Sequence, residues 1–290
     1  MTPFWRLLAL ALLLAGCGER KAAQPHEARP ALWLAEKDGR RAWLMGTVHM
    51  LPEGAVWSGG AVGKALGESQ RLVLEAQGLD DDRAIRATFD RLGMAPGLPP
   101  VAQRVPAKDR AMLAELTRGG ASLDGYEDWA AALLLTAAVD ARMKAVPGKG
   151  VEPALIARFT ARRQPIEGLE TIAEQFAQFD ALPAGAQRAM LVDTVRQADG
   201  ADADFDAMYA DWAKGDVAAL GKALDDELDA SPALRAAVLT DRNARWDARI
   251  DAIVARPGTE FVAAGAAHLI GAGSLLERME KRGWRVRRVQ

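Results

Sequence analysis

Cysteine occurs once in this chain, at position 17, and histidine three times, at positions 26, 49 and 268. One cysteine excludes an internal disulfide, a Cys-x-x-Cys redox pair and a thiolate metal cluster. Serine is also scarce: Ser58, Ser69, Ser122, Ser231 and Ser274, none of them inside a Gly-x-Ser-x-Gly elbow. No His-Glu-x-x-His, P-loop or Gly-x-Gly-x-x-Gly occurs, which removes the commonest signatures of zinc peptidases, nucleotide hydrolases and dinucleotide enzymes. Asp202, Asp204 and Asp206 begin like a calcium loop, but Ala207 and Ala213 stand where it needs glycine and glutamate. The net charge of −2 offers no overall basic field. Arg285, Arg287 and Arg288 bunch without interleaved stacking aromatics, so nucleic acid is not an expected partner. Half of the 290 residues are hydrophobic, enough for a large core without disulfides.

The apolar run at residues 7–14 is too short to span a bilayer, which takes about 20 residues, and no later run is longer. With Arg6 before it, residues 1–16 read as an export signal. Leu14-Ala15-Gly16-Cys17 then resembles the bacterial lipobox, in which the cysteine is lipidated and becomes the first residue. Cys17 is therefore the expected lipidation site. Gly18, where aspartate would signal inner-membrane retention, favours the outer membrane, facing the periplasm. Residues 17–30 read as a tether and residues 31–290 as the domain. His26, in the tether, reads as solvated.

Periodicity places the elements of that domain. Residues 31–34 and 41–45 flank Asp38-Gly39, the signal of a β-hairpin. Residues 71–75 and 260–264 read as strands, 284–289 as a final strand, and 163–168 as one more short strand. Ser274, with Glu277 three residues on, opens a helix that ends at Gly283. Between about residues 80 and 255 the pattern is helical. A Pro/Gly-rich interruption at 93–106 is a loop or lid candidate. Trp129, Trp212 and Trp246 read as core. The expectation is an α/β fold whose sheet comes from both chain ends, with a largely helical insertion.

Two of the three histidines close matching motifs, Gly46-Thr47-Val48-His49 and Gly265-Ala266-Ala267-His268, each after an apolar run. A glycine at a strand end lets the chain turn sharply and swing a side chain over the sheet edge, where α/β folds bind ligands. Two imidazoles and a carboxylate make an open metal-ligand set, and Glu75 is the best third ligand by position. Such an ion activates water at neutral pH. Glu170 and Glu152 are further acidic candidates, as ligands or as a general base. Arg242 and Asn243 are candidates to stabilise an oxyanion or clamp a carboxylate.

In order along the chain, Leu44 to His49, Leu72 to Glu75, Pro165 to Thr171, Arg242-Asn243-Ala244-Arg245-Trp246 and Phe261 to Gly271 resemble the motifs of the TraB/GumN family, which includes the Tiki proteases. The resemblance implies an erythromycin-esterase/ChaN-like core. For the Tiki branch it implies metal-dependent peptide hydrolysis through His49, Glu75 and His268. The expected cofactor is a divalent ion: manganese, cobalt or zinc. Glu170, Arg242 and Asn243 are the expected catalytic residues, and a peptide or small molecule the expected substrate. The alternative is a non-catalytic metal- or ligand-binding lipoprotein of ChaN-like fold. One departure from the family pattern is Gly150-Val151-Glu152-Pro153, where Pro153 is expected to shift a helix start. Cys17→Ser is expected to release the protein from membranes; unchanged fractionation contradicts the lipid anchor.

Overall fold

The computed structural model describes residues 26–79, 81–143, 150–229 and 231–290; the export segment and Cys17 lie outside the described residues. The strands are β1 (His26–Glu27), β2 (Leu32–Lys37), β3 (Arg40–Thr47), β4 (Ala55–Val56), β5 (Arg71–Gln77), β6 (Ile166–Thr171), β7 (Thr259–Gly265) and β8 (Arg285–Arg288). Six of them form one mixed sheet in the order β6-β5-β7-β3-β2-β8. The first four in that order run parallel, and β2 is antiparallel to both β3 and β8.

The hairpin forms as the Asp-Gly step dictates. Asp38 and Gly39 both take positive φ, 50° and 76°, and Lys37 pairs with Arg40 across them. A two-residue turn with both φ positive carries the twist that adjacent strands need. Residues 42–47 of β3 are all buried, as are residues 260–265 of β7. That continuous burial is the mark of a parallel strand covered on both faces.

Both chain ends meet in the β3–β7 pair, in register from Arg41↔Thr259 to Thr47↔Gly265. The strands β2 and β8 extend the same side. The insertion is mainly helical, as expected, but it returns β6 to the far edge of the sheet, so the sheet is not built from the chain ends alone. The strand read at 163–168 begins later, at Ile166, because Arg163 turns with φ 53°. Ahead of β2, His26–Glu27 pair with Ala55–Val56 in a separate two-stranded sheet.

Several local expectations hold and two are corrected. Trp129, Trp212 and Trp246 are buried in the core. Gly283 has φ 85°, the left-handed conformation of a helix-ending glycine. Ser274 accepts the Glu277 N–H, but the Glu277 carboxylate reaches the Gly273 N–H, so only half of the expected capping box forms. The helix Val151–Ala161 starts at Val151 with Pro153 inside its first turn. Proline is tolerated there because that N–H has no partner within the helix, so the helix start is not shifted. The 93–106 segment contains a short helix, Val101–Arg104. No helix among the described residues is long and apolar enough to cross a membrane.

Gly168 of β6 permits the β5–β6 contact. A Cβ there would lie 2.2 Å from the Gln77 nitrogen, a clash with backbone that no side-chain rotation relieves. Gly168→Ala is therefore expected to destabilise the fold by about 1–3 kcal/mol, measured by chemical denaturation. A loss within error of zero contradicts this close approach.

Candidate functional site

The parallel register brings the two glycine–histidine motifs side by side. Thr47 pairs with Gly265 at the ends of β3 and β7, so His49 and His268 follow from neighbouring strand ends. Gly46 makes the approach possible, since a Cβ there would come within 2.9 Å of Ala266 Cα. The Gly46 carbonyl accepts a hydrogen bond from Trp212 Nε1 at 2.8 Å. On the other side the β5–β7 ladder stops at Leu74↔Ala263. Just past that point the Glu75 carboxylate accepts the Gly265 N–H at 2.6 Å, so it bridges the two strand ends.

Arg242 lies at the centre, on the helix Asp241–Val254, and is buried. The chain leads into that helix through a π-helical stretch, Ala236–Thr240, whose Val238 carbonyl accepts from Arg242 Nη1 at 3.3 Å. Such stretches are frequent at functional sites. Arg242 Nη2 donates to Glu75 at 2.9 Å and to Glu170 at 2.5 Å, and Nε also reaches Glu170. The second Glu170 oxygen accepts from Trp246 Nε1 at 2.9 Å and from Gln178 at 3.2 Å. Arg242 and Trp246 are one helical turn apart, and the guanidinium also lies 4.6 Å from the indole centroid.

Each histidine is held through Nδ1. For His268, Asn243 Nδ2 donates to the Gly273 carbonyl, which turns Asn243 Oδ1 toward the ring. His268 Nδ1–H therefore donates to that oxygen at 2.7 Å, and Nε2, carrying the lone pair, accepts from Arg242 Nη1 at 3.2 Å. For His49, Nδ1 donates to Glu152 at 3.0 Å, and Thr47 Oγ1 donates to the same carboxylate oxygen. The helix start that carries Glu152 is pressed against His49: a Cβ on Gly150 would sit 2.1 Å from the His49 carbonyl oxygen. The His49 side chain is 23% exposed and that of His268 only 5%, so His49 marks the open side of the site.

Burial and charge divide the titratable groups. Burial opposes a charge on His49, but Glu152 in direct contact, with Glu75 beyond it, carries the imidazolium up to about 9. Burial dominates at His268 and lowers it to about 3, so the ring is neutral near pH 7. Burial also opposes ionisation of Glu75. The positive charge that His268, Arg242 and His49 can present, together with the Gly265 N–H, overrides it and holds the carboxyl at about 2. Glu170 goes the other way: burial raises it despite Arg242. Two carboxyl groups on one guanidinium are thus pushed apart, the pattern of an acid–base pair.

The chain matches the TraB/PrgY/gumN family over residues 31–288. It belongs to that family. No curated protein and no solved structure matches it. In this TraB/PrgY/gumN member the five motif segments converge on one place: Gly46–His49, Glu75, Glu170, Arg242–Trp246 and Gly265–His268 share a continuous set of contacts. Among the described residues no three of His, Cys, Asp and Glu form a ready-made metal cluster. The guanidinium of Arg242 instead stands between Glu75, Glu170 and His268. The sequence reading missed Thr47, Gln178 and the Gly265 N–H as partners, and took Trp246 only as core. The one-turn spacing from Arg242 to Trp246 was the available signal for the last.

These shifts fix the pH dependence of stability in the metal-free TraB/PrgY/gumN domain. His49 is raised from 6.5 to about 9, so its contribution is complete below pH 6.5 and lost as pH rises through 9. His268 is lowered from 6.5 to about 3 and Glu75 from 4.5 to about 2, so theirs are lost as pH falls toward those values. In chelator, the melting temperature is expected to fall on both sides of about pH 6.5. His49→Gln should flatten the alkaline limb and, because His49 also helps to lower Glu75, soften the acid limb; an unaltered alkaline limb contradicts the assignment.

Proposed function

We propose that this protein is a lipid-anchored periplasmic hydrolase, held at the outer membrane through Cys17, that uses a divalent ion and acts on peptides. An erythromycin-esterase/ChaN-like core is part of the same reading. The observation that carries it is the pair of histidines fixed through Nδ1, by Glu152 and by Asn243, which leaves Nε2 of each ring on the side away from its anchor; at His268 an ion would take the place of the Arg242 Nη1 contact. The spacing of the next donor supports it: Glu75 Oε1 lies 3.6 Å from His268 Nε2. Two ligands at about 2.0–2.2 Å from one tetrahedral ion stand about that far apart. The residues present therefore fit such an ion in donor type and in the spacing of two donors, with His49, Glu75 and His268 as its holders.

A bound ion would supply Lewis acidity, polarising a carbonyl and bringing water to neutral acidity. The protein's own groups do the rest. Glu152 and Asn243 orient the rings. Glu170, raised by burial, holds or moves a proton at its carboxyl oxygens. Arg242 balances the two carboxylates and steadies negative charge as it develops. Substrate reaches the site past His49, the more exposed of the two imidazoles.

A histidine must give up its proton to become a ligand. Metal binding is therefore expected to release a proton from His49 and to tighten by up to about tenfold per pH unit between pH 7 and 9. Calorimetry in buffers of different ionisation enthalpy counts that proton. Uptake that is independent of pH sinks His49 as a ligand. For turnover, the domain loaded with manganese, cobalt or zinc should cleave members of a peptide library. Glu152→Gln should cost about 10–100-fold in metal affinity or activity, and cleavage that survives His49→Ala rejects the mechanism. A second reading, a non-catalytic metal- or ligand-binding lipoprotein, is favoured by Arg242, which already engages both carboxylates. Stoichiometric uptake without cleavage selects it.

A further inference from the structure

Every N–H of the Arg242 guanidinium has an acceptor. Nε donates to Glu170 at 3.1 Å, and Nη2 donates to Glu170 at 2.5 Å and to Glu75 at 2.9 Å. Nη1 donates to the Val238 carbonyl at 3.3 Å and to His268 Nε2 at 3.2 Å. All the donors of the fork are thus matched. The edge formed by Nη1 and Nη2 straddles His268 Nε2 and Glu75 Oε2, and Glu75 Oε1 lies 3.6 Å from the same Nε2.

His268 and Glu75 are two of the three residues assigned above to hold an ion. The contacts of Arg242 to Glu170 and Val238 use no donor atom of that set. Its contact to Glu75 uses Oε2 and leaves Oε1 on the Gly265 N–H. The contact to His268 differs in kind. Asn243 holds Nδ1–H, so Nε2 carries the one lone pair of the ring. That lone pair cannot serve an N–H and an ion together. The side chains of Arg242 and His268 are both almost fully buried, so bulk water does not compete for the contact.

We propose that Arg242 is the resident cation of the metal-free centre and gates its loading: Nη1–H must give up His268 Nε2 before an ion can be held there. This inference rests on the metal reading above. The exchange takes place on an imidazole nitrogen. It therefore admits zinc or cobalt more readily than magnesium or calcium, which prefer oxygen ligands. The affinity of the site is lower than its donors alone would give, and Arg242 sets the difference.

Arg242→Lys separates the fork from its charge. Lysine keeps one positive charge but has three donors on a compact ammonium, and it cannot hold the same set of contacts. Zinc calorimetry on the purified full chain is expected to give binding tighter by about tenfold or more in Arg242→Lys than in wild type, the worth of one charge-assisted hydrogen bond. If Arg242 acts through its charge alone, the two affinities are equal. Zinc uptake by the variant and not by wild type is the same effect at its limit. NMR of wild type isotope-labelled at its arginine and histidine nitrogens gives a second readout. Zinc should shift Arg242 Nη1 and His268 Nε2 together, at one stoichiometry. If Arg242→Lys fails to fold, these resonances decide. Equal or weaker binding by the variant, or an Arg242 Nη1 resonance unmoved at saturation, overturns the gate and leaves the metal reading standing. No saturable zinc uptake by wild type or variant overturns both.

Discussion

Burying the guanidinium of Arg242 is the demand that organises the rest of the site. An isolated charge taken out of water costs several kcal/mol even after relaxation, and arginine cannot escape by losing its proton. The cost is offset only if its donors meet acceptors of opposite charge in good geometry. Here Glu75 comes from β5, Glu170 from β6, His268 from the short helix Ala266–Leu269 after β7, and the Val238 carbonyl from the π-helical stretch before Asp241. Three elements distant in sequence, besides the turn that leads into its own helix, must therefore be in place before the charge is satisfied. Removing any one of the carboxylates leaves the other pairing incomplete, which is why such a centre is more costly to break than to omit.

That demand also explains the backbone around it. Glu75 serves Arg242 with one oxygen and the Gly265 N–H with the other, so the carboxylate closes the gap where β5 and β7 part. Gly46 and Gly168 have no side chain because neighbouring backbone occupies the space a Cβ would take, against Ala266 in one case and Gln77 in the other. The glycine ahead of each histidine is thus more than a flexible turn. Gly265 gives an N–H to the site, and Gly46 gives a carbonyl to Trp212 and room to Ala266.

Much of this was legible in the residues, and the remainder follows a physical pattern. The Asp-Gly hairpin, β5, β7 and the terminal strand rest on local turn chemistry and short-range periodicity, which survive folding unchanged. The scarcity of histidine singled out His49 and His268, and strand-end position singled out Glu75. What could not be read was who faces whom. Arg242 read as a clamp for a ligand, because a sequence does not show that three of its own side chains fill the guanidinium. Glu152 and Asn243 stood among the candidates, but their use as anchors for Nδ1 depends on helices whose packing is set by distant contacts. The β6 strand was misplaced by a few residues because its start is fixed by a turn at Arg163, a residue with no preference for positive φ.

The two imidazoles show how one motif yields two different groups. Both follow a glycine by three residues, and both are anchored at Nδ1. The anchor on His49 is a carboxylate that favours the imidazolium, and on His268 an amide oxygen that adds no charge while burial favours the neutral ring. A neutral Nε2 beside Glu75 and Arg242 is ready to accept, and a charged ring at the open side is ready to donate or to exchange its proton for another cation. The asymmetry comes from the second residue each ring meets, Glu152 or Asn243, and not from the motif itself. A chemistry that needs one acceptor and one exchangeable proton can therefore be assembled from two copies of the same four-residue turn.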